Sequence, residues 1–166
     1  MGCLKSLQED GIPVSGLPPT FQHAVFITKM LGVHYLWIDS LCIIQDSKED
    51  WLQESVKMWA IYGNAFCNIA ATSSSDSYGG LFHDRNGLSA LPCKIQATWH
   101  ILRQGHYYCV DEETLEREVD EAPLNARGWV LQEQALSPRI LHFGAREQYW
   151  ECRELTAPET FPTRHT

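Results

Sequence analysis

Apolar positions fall into blocks whose spacing changes along the chain. From Thr20, the positions Phe21, Ala24, Val25, Thr28 and Leu31 recur at helical spacing, and Gly32 stands where a left-handed cap closes a helix. Val33 to Ile44 is apolar on both faces and is interrupted only by Asp39 and Ser40, so it predicts a central strand and its exit. A capping signature follows, Asp46 with Glu49 or Ser47 with Asp50, and predicts a helix to about Asn64. On that helix Leu52, Val56, Trp59 and Gly63 share one face, and Asp50, Gln53, Glu54 and Lys57 another. Phe66 to Thr72 predicts a second strand, followed by a Ser- and Gly-rich loop over 73–80.

The second half reads differently. Lys94 to Leu102 and His106 to Val110 predict short strands around a Gly105 turn. Asn125 is placed to cap a helix from Ala126 to Leu136 that Pro138 ends, and Arg139 to Phe143 with Gln148 to Cys152 predicts a hairpin turning at Gly144. Helix, strand, helix, strand in the first half is the signature of an α/β fold with a parallel sheet and crossover helices, to which the second half adds a C-terminal helix and a β-hairpin region. Residues 1–16 read as an irregular lead-in, 17–152 as the domain, and 153–166, with Pro158 and Pro162, as a flexible, frayed tail.

With 166 residues the chain is expected to form one domain, and 44% hydrophobic against 20% charged residues is a globular composition. The longest unbroken apolar run, Met58 to Tyr62, is far too short to cross a bilayer, and no secretory signal opens the chain, so a cytoplasmic protein without a membrane span is expected. The net charge is −8 and unevenly placed: seven acidic residues between Asp111 and Glu121 face the single Arg117. That run reads as a solvated face or loop, and without a Lys/Arg stripe nucleic acid is excluded as a partner. The six cysteines stand at least sixteen positions apart, which fits neither close metal-ligand pairs nor a small disulfide scaffold; no metal site is expected and small buried thiols are.

Candidate chemistry centres on carboxylates. On the helix from Ala126, Trp129, Val130 and Glu133 complete an apolar stripe, so Glu133 is either paired, with Arg127 or Arg139, or a cleft carboxylate that holds a ligand hydroxyl or acts as a base. Glu54 lies on the polar face beside Asp50 and Lys57, where it is either a surface pair or the lining of a cleft. Asp39, at the end of the predicted strand, either binds a ligand or hydrogen-bonds the following turn. A Cys42–His hydrolase, drawing on His34, His83, His100, His106 or His142, has no local signature, and Gly79-Gly80 lacks the context of a phosphate loop.

Leu36-Trp37-Ile38-Asp39-Ser40-Leu41-Cys42-Ile43-Ile44-Gln45-Asp46, then Asp50-Trp51 through Met58, Tyr62 and Ala65, resembles the core motif of the fungal heterokaryon-incompatibility (HET) domain. Arg127-Gly128-Trp129-Val130-Leu131-Gln132-Glu133 with Leu136-Ser137-Pro138-Arg139-Ile140-Leu141-His142-Phe143 resembles the later motif, and Gly80-Leu81-Phe82 with Arg85 the stretch between. The family's aromatic-rich opening strand has no counterpart in residues 1–16, so N-terminal truncation, with a sheet edge left open, is expected. The resemblance implies a TIR-like (flavodoxin-like) fold and a role in non-self recognition and programmed cell death. It also implies NAD as a substrate, with no tightly bound cofactor. Ser47, Trp51 and Glu54 resemble the TIR stretch of Ser, Trp and Glu at the start of the corresponding helix. The resemblance thus implies catalytic roles for Glu54 or Glu133, with Trp37, Asp39, Ser40, Arg127 and Trp129 binding the nucleotide. The alternatives are a non-catalytic signalling module, acting as a homo-oligomer or with other incompatibility proteins, and an inactive fragment.

Overall fold

The computed structural model describes residues 11–88, 91–98, 103–109 and 117–162. The chain divides into two compact units, Met1–Val56 with Ser74–Phe82 and Lys57–Ser73 with His83–Thr166. Helix α3 (Lys48–Gly63) passes from the first into the second. The acidic run from Asp111 lies outside the described residues as far as 116; residues 117–120 are helical.

The first unit is built around α1 (Pro19–Met30), which starts with proline at its first position, where the missing N–H costs nothing, and ends at Gly32 with φ 69°. Its inner face, Thr20, Ala24 and Thr28, is buried. Loop 74–82 is bound to that face through its backbone. Thr20 N donates to Ser77 O at 3.1 Å, and Gly80 N to Thr20 Oγ1 at 2.9 Å. Leu81 N donates to His23 Nδ1 at 3.0 Å, which fixes the His23 proton on Nε2. Gly80 adopts φ 78°, and a Cβ there would stand 3.0 Å from His23 Cε1, so glycine is required on both counts. Leu81 is thereby buried, and Phe82 packs on His23 with ring centroids 4.6 Å apart.

The predicted strand over Val33–Ile44 does not form. Residues 33–38 have no ladder, Tyr35 is 90% exposed, and Asp39–Cys42 is a single helical turn, α2. Extended backbone becomes a strand only with a neighbour to pair with, and Asp39 instead accepts the Ser40 N–H at 2.6 Å, a local bond that competes with pairing.

The second unit carries a four-stranded sheet in the order β1 (Asn68–Ala70), β4 (Arg139–Phe143), β5 (Gln148–Cys152), β6 (Thr156–Pro158), and a separate hairpin of β2 (Cys93–Ala97) and β3 (Gly105–Cys109). The class is α/β and the sheet is mixed: β1–β4 is parallel, β4–β5 and β5–β6 antiparallel. The predicted hairpin of β4 and β5 forms at its predicted limits. The segment read as a frayed tail instead supplies β6, because Glu159 N donates to Gln148 O and Cys152 N to Leu155 O, closing the turn between β5 and β6. Ile140, His142, Phe143 and Tyr149 are each no more than 2% exposed, so β4 and β5 form the centre of the core. Each such apolar side chain contributes roughly 1.5–3 kcal/mol by leaving water.

Helix α4 (Val130–Leu136) starts later than the predicted Ala126. Asn125 does not cap it: its amide donates backward to Val119 O and Asp120 O, and Pro123–Ala126 forms a 3₁₀ turn. The apolar stripe is accordingly broken. Val130 is buried, Trp129 is 57% exposed, and Ala126 lies outside the helix.

Candidate functional site

The start of α3 is held by three bonds that join it to the motif before it. Asp50 N donates to Ser47 Oγ at 3.2 Å, the N-cap bond, while the Asp50 carboxylate reaches past Ser47 to accept the Ile44 N–H at 2.8 Å. Ser47 N in turn donates to Ile44 O at 3.1 Å. This is a capping box stretched by one turn, and Ser47 with Asp50, not Asp46 with Glu49, is the pair that forms it. Gln45 Nε2 donates to Ile43 O at 3.0 Å and to Asp39 O at 3.4 Å, and Ile43 is buried beneath the knot. The polar residues of the Asp39-to-Asp50 stretch thus satisfy each other's backbone.

Within this unit lie Trp37, Asp39, Ser40 and Glu54. Trp37 and Asp39 are half-buried and Ser40 is exposed. The Asp39 carboxylate is taken up by the turn it opens. Ser47, the cap, is followed at i+4 and i+7 by Trp51 and Glu54 on α3, so the cap fixes the start of the helix from which both Trp51 and Glu54 project. Trp51 is 44% exposed and Glu54 half-buried. Leu52, Val56 and Trp59, on the helix's apolar row, are 50%, 70% and 63% exposed, and no residue of α3 is buried.

Arg127, Trp129 and Glu133 belong to the second unit. Arg127 and Trp129 are exposed at the turn that opens α4, and Glu133 is half-buried on it. Arg139 donates from Nη1 to Phe66 O at 2.8 Å and lies over the Phe66 ring at 5.6 Å, which ties β4 to the approach to β1.

Two hydroxyl–imidazole pairs at the end of β1 escaped the sequence. Thr72 Oγ1 faces His142 Nδ1 at 3.2 Å, and His142 Nε2 faces Glu151 Oε2 at 2.9 Å. Thr72 and His142 are 1% exposed, so this chain ties the end of β1 to β4 and β5 within the core. Next to it Ser73 Oγ lies 2.6 Å from His83 Nε2 and 3.0 Å from Phe143 O. The hydroxyl carries one proton for these two contacts, so the tautomer of His83 decides which of them it serves; Phe143 O also accepts the Ser73 N–H at 3.1 Å. Alternation along β4, with Ile140 and His142 on one face, is the signal that places His142 inside; its partners depend on register, which the sequence does not give.

A third buried polar group is Tyr149, whose hydroxyl donates to Glu118 Oε2 at 3.1 Å while Arg146 Nε stands 3.3 Å from Glu118 Oε1. Burial, reinforced by the Glu118 and Glu147 carboxylates, pushes the phenol far above its usual range. Burial also raises the Cys67 thiol, whereas hydrogen bonding from the Glu154 backbone lowers that of Cys152. Cys42, named with the histidines as a candidate, is exposed. Among the described residues no group of three or more His, Cys, Asp or Glu is placed to hold a metal ion, and no helix is long and apolar enough to cross a membrane.

No curated protein and no solved structure matches this chain in sequence or fold. A family model does: that of the heterokaryon incompatibility protein (HET), over residues 4–133. The match takes in the Trp37-to-Asp46 stretch, the capped start of α3, loop 74–82 and the turn into α4, and ends at Glu133, before β4. With most of its length covered, the chain belongs to the heterokaryon incompatibility family.

Proposed function

We propose that the chain acts in fungal non-self recognition as a cell-death effector, and that it does so by cleaving NAD with Glu54. The observation that carries the reading is the capped start of α3: Ser47 and Asp50 lock the turn that presents Trp51 and the half-buried Glu54 on one face, the order in which Ser, Trp and Glu stand in TIR-type enzymes. In the reaction the bond between ribose C1′ and the nicotinamide nitrogen breaks, its electron pair leaving with nicotinamide. Water adds to C1′ and loses a proton, giving ADP-ribose. Glu54 orients the ribose hydroxyls and stabilises the oxocarbenium-like positive charge, and Trp51 offers an aromatic wall. Trp37, Asp39 and Ser40 are proposed as nucleotide contacts in the same unit. Arg127, Trp129 and Glu133 are the corresponding proposal for the second. The test is NAD loss followed by chromatography on concentrated protein beside Glu54→Gln and Glu133→Gln. Turnover lost only in Glu54→Gln supports the assignment; loss only in Glu133→Gln moves it; a folded sample without turnover rejects the enzyme.

One observation favours a second reading, signalling by self-association. Leu52, Val56 and Trp59 form an uncharged row on a helix with no buried residue. Two copies related by a two-fold axis would bury the same row on each. Sedimentation of the parent and of Val56→Asp tests it, a dimer lost in the variant being the supporting result.

A further inference from the structure

Cys93 opens β2 and Cys109 closes β3, and the antiparallel register sets them directly opposite one another. Directly opposed residues in such a pair have Cα atoms about 4.5–5.5 Å apart and side chains on the same face of the ladder. That separation lies inside the roughly 4.4–6.8 Å range a disulfide spans without backbone movement. Both thiols are free and exposed. The Ile95–Tyr107 pair shares their face, each 39% exposed, whereas Tyr108 on the other face packs edge-on against Phe161 with ring centroids 5.8 Å apart. A small oxidant therefore reaches both thiols from the exposed face of the hairpin. Nothing comparable holds for the other described cysteines: Cys67 lies just before β1 and Cys152 ends β5, two strands of the sheet that are not paired with each other, and Cys42 lies in the other unit.

We propose that Cys93 and Cys109 form a reversible redox site, oxidised by hydrogen peroxide to a cross-strand disulfide that staples the β2–β3 hairpin. One thiolate attacks the peroxide oxygen, becoming a sulfenic acid as the O–O bond breaks and water leaves. The facing thiol then attacks that sulfur, the S–S bond forms, the S–O bond breaks, and a second water leaves. Two thiols are oxidised, one peroxide is reduced to two waters, and a dithiol reductant reverses the change by exchange. This site is independent of NAD chemistry.

The experiment treats the full chain with hydrogen peroxide and counts thiols, then maps tryptic peptides without reduction. Cleavage at Arg85, Lys94, Arg103 and Arg117 puts Cys93 and Cys109 in separate peptides, 86–94 and 104–117. With thiols counted after unfolding in denaturant, the expected result is a fall from six to four, with those two peptides joined, and recovery of six on adding dithiothreitol. In Cys93→Ser and in Cys109→Ser the joined product disappears and the remaining partner is trapped by a sulfenic-acid reagent. Peptides joined at random among the six cysteines, a cross-link only between separate chains, or no loss of this pair overturns the proposal. Because both positions are exposed, circular dichroism of the serine variants matching the parent excludes misfolding as the reason for a lost cross-link.

Discussion

Tyr149→Phe removes one oxygen from the centre of the sheet and tests how the second unit is held. The ring is 1% exposed, and its hydroxyl donates to a Glu118 carboxylate that is itself only 12% exposed. A hydrogen bond to a charged group contributes about 1.5–3 kcal/mol, and phenylalanine fills the ring's space without a new cavity. Arg146 still pairs with Glu118, so the carboxylate keeps a partner and the lower half of that range is expected, about 2 kcal/mol. In urea, with a slope of about 2 kcal/mol/M, this moves the midpoint by about 1 M at unchanged slope. The same contact has a pH signature. The folded-state phenol titrates far above the unfolded value of about 10. The stability it supports is therefore fully present below about pH 10, and falls above it as the unfolded chain ionises and the folded one does not, by about 1.4 kcal/mol per pH unit. In Tyr149→Phe that part of the alkaline decline vanishes. A midpoint within about 0.3 M of the parent at pH 7, with the same decline between pH 10 and 11, would refute the account of Tyr149 and Glu118.

Three further substitutions separate local effects. Gly80→Ala is expected to cost about 1–3 kcal/mol, because φ 78° is strained for alanine and its Cβ meets His23 at 3.0 Å, whereas Gly32→Ala, with φ 69° and nothing within 4 Å, carries only the backbone cost of roughly 1–2 kcal/mol. Thermal midpoints of the two variants should differ in that order, and equal losses would remove the His23 contact from the explanation. Ser47→Ala loses the N-cap bond of α3 and should cost about 1 kcal/mol, seen as faster amide exchange over the first turn, with the Asp50–Ile44 bond retaining the helix.

What the sequence disclosed follows from the range of the forces involved. Helix α1 with its Gly32 cap, α3 with its Ser47 cap, and the β4–β5 hairpin at Gly144 are set by neighbours a few residues apart, and these formed where the spacing placed them. The apolar stretch Val33–Ile44 carried the same local pattern as a strand, but a strand needs a partner, and Asp39, Gln45 and Asp50 spend their hydrogen bonds on turns instead. Asn125 does reach the helix, but its Oδ1 accepts from the Gln134 side chain and not from a first-turn backbone N–H while its amide donates back to Val119 O, a pairing that depends on packing and not on spacing. The site shows the same division. That Ser47, Trp51 and Glu54 follow one another along one helix is legible from spacing, while their proposed role comes from the resemblance alone; Thr72–His142–Glu151 and Cys93–Cys109 join residues far apart in sequence through strand register. Exposure of Leu52, Val56 and Trp59 was equally invisible, because periodicity shows that residues share a face and not whether anything covers it.

The most direct test of the central claim measures NAD in fungal cells after induced expression of the parent chain and of Glu54→Gln at matched levels. With the parent, NAD is expected to fall and free nicotinamide to rise before viability drops, and with Glu54→Gln both are expected to stay at baseline. Cell death with NAD unchanged, or NAD loss equal in the two, would contradict the claim.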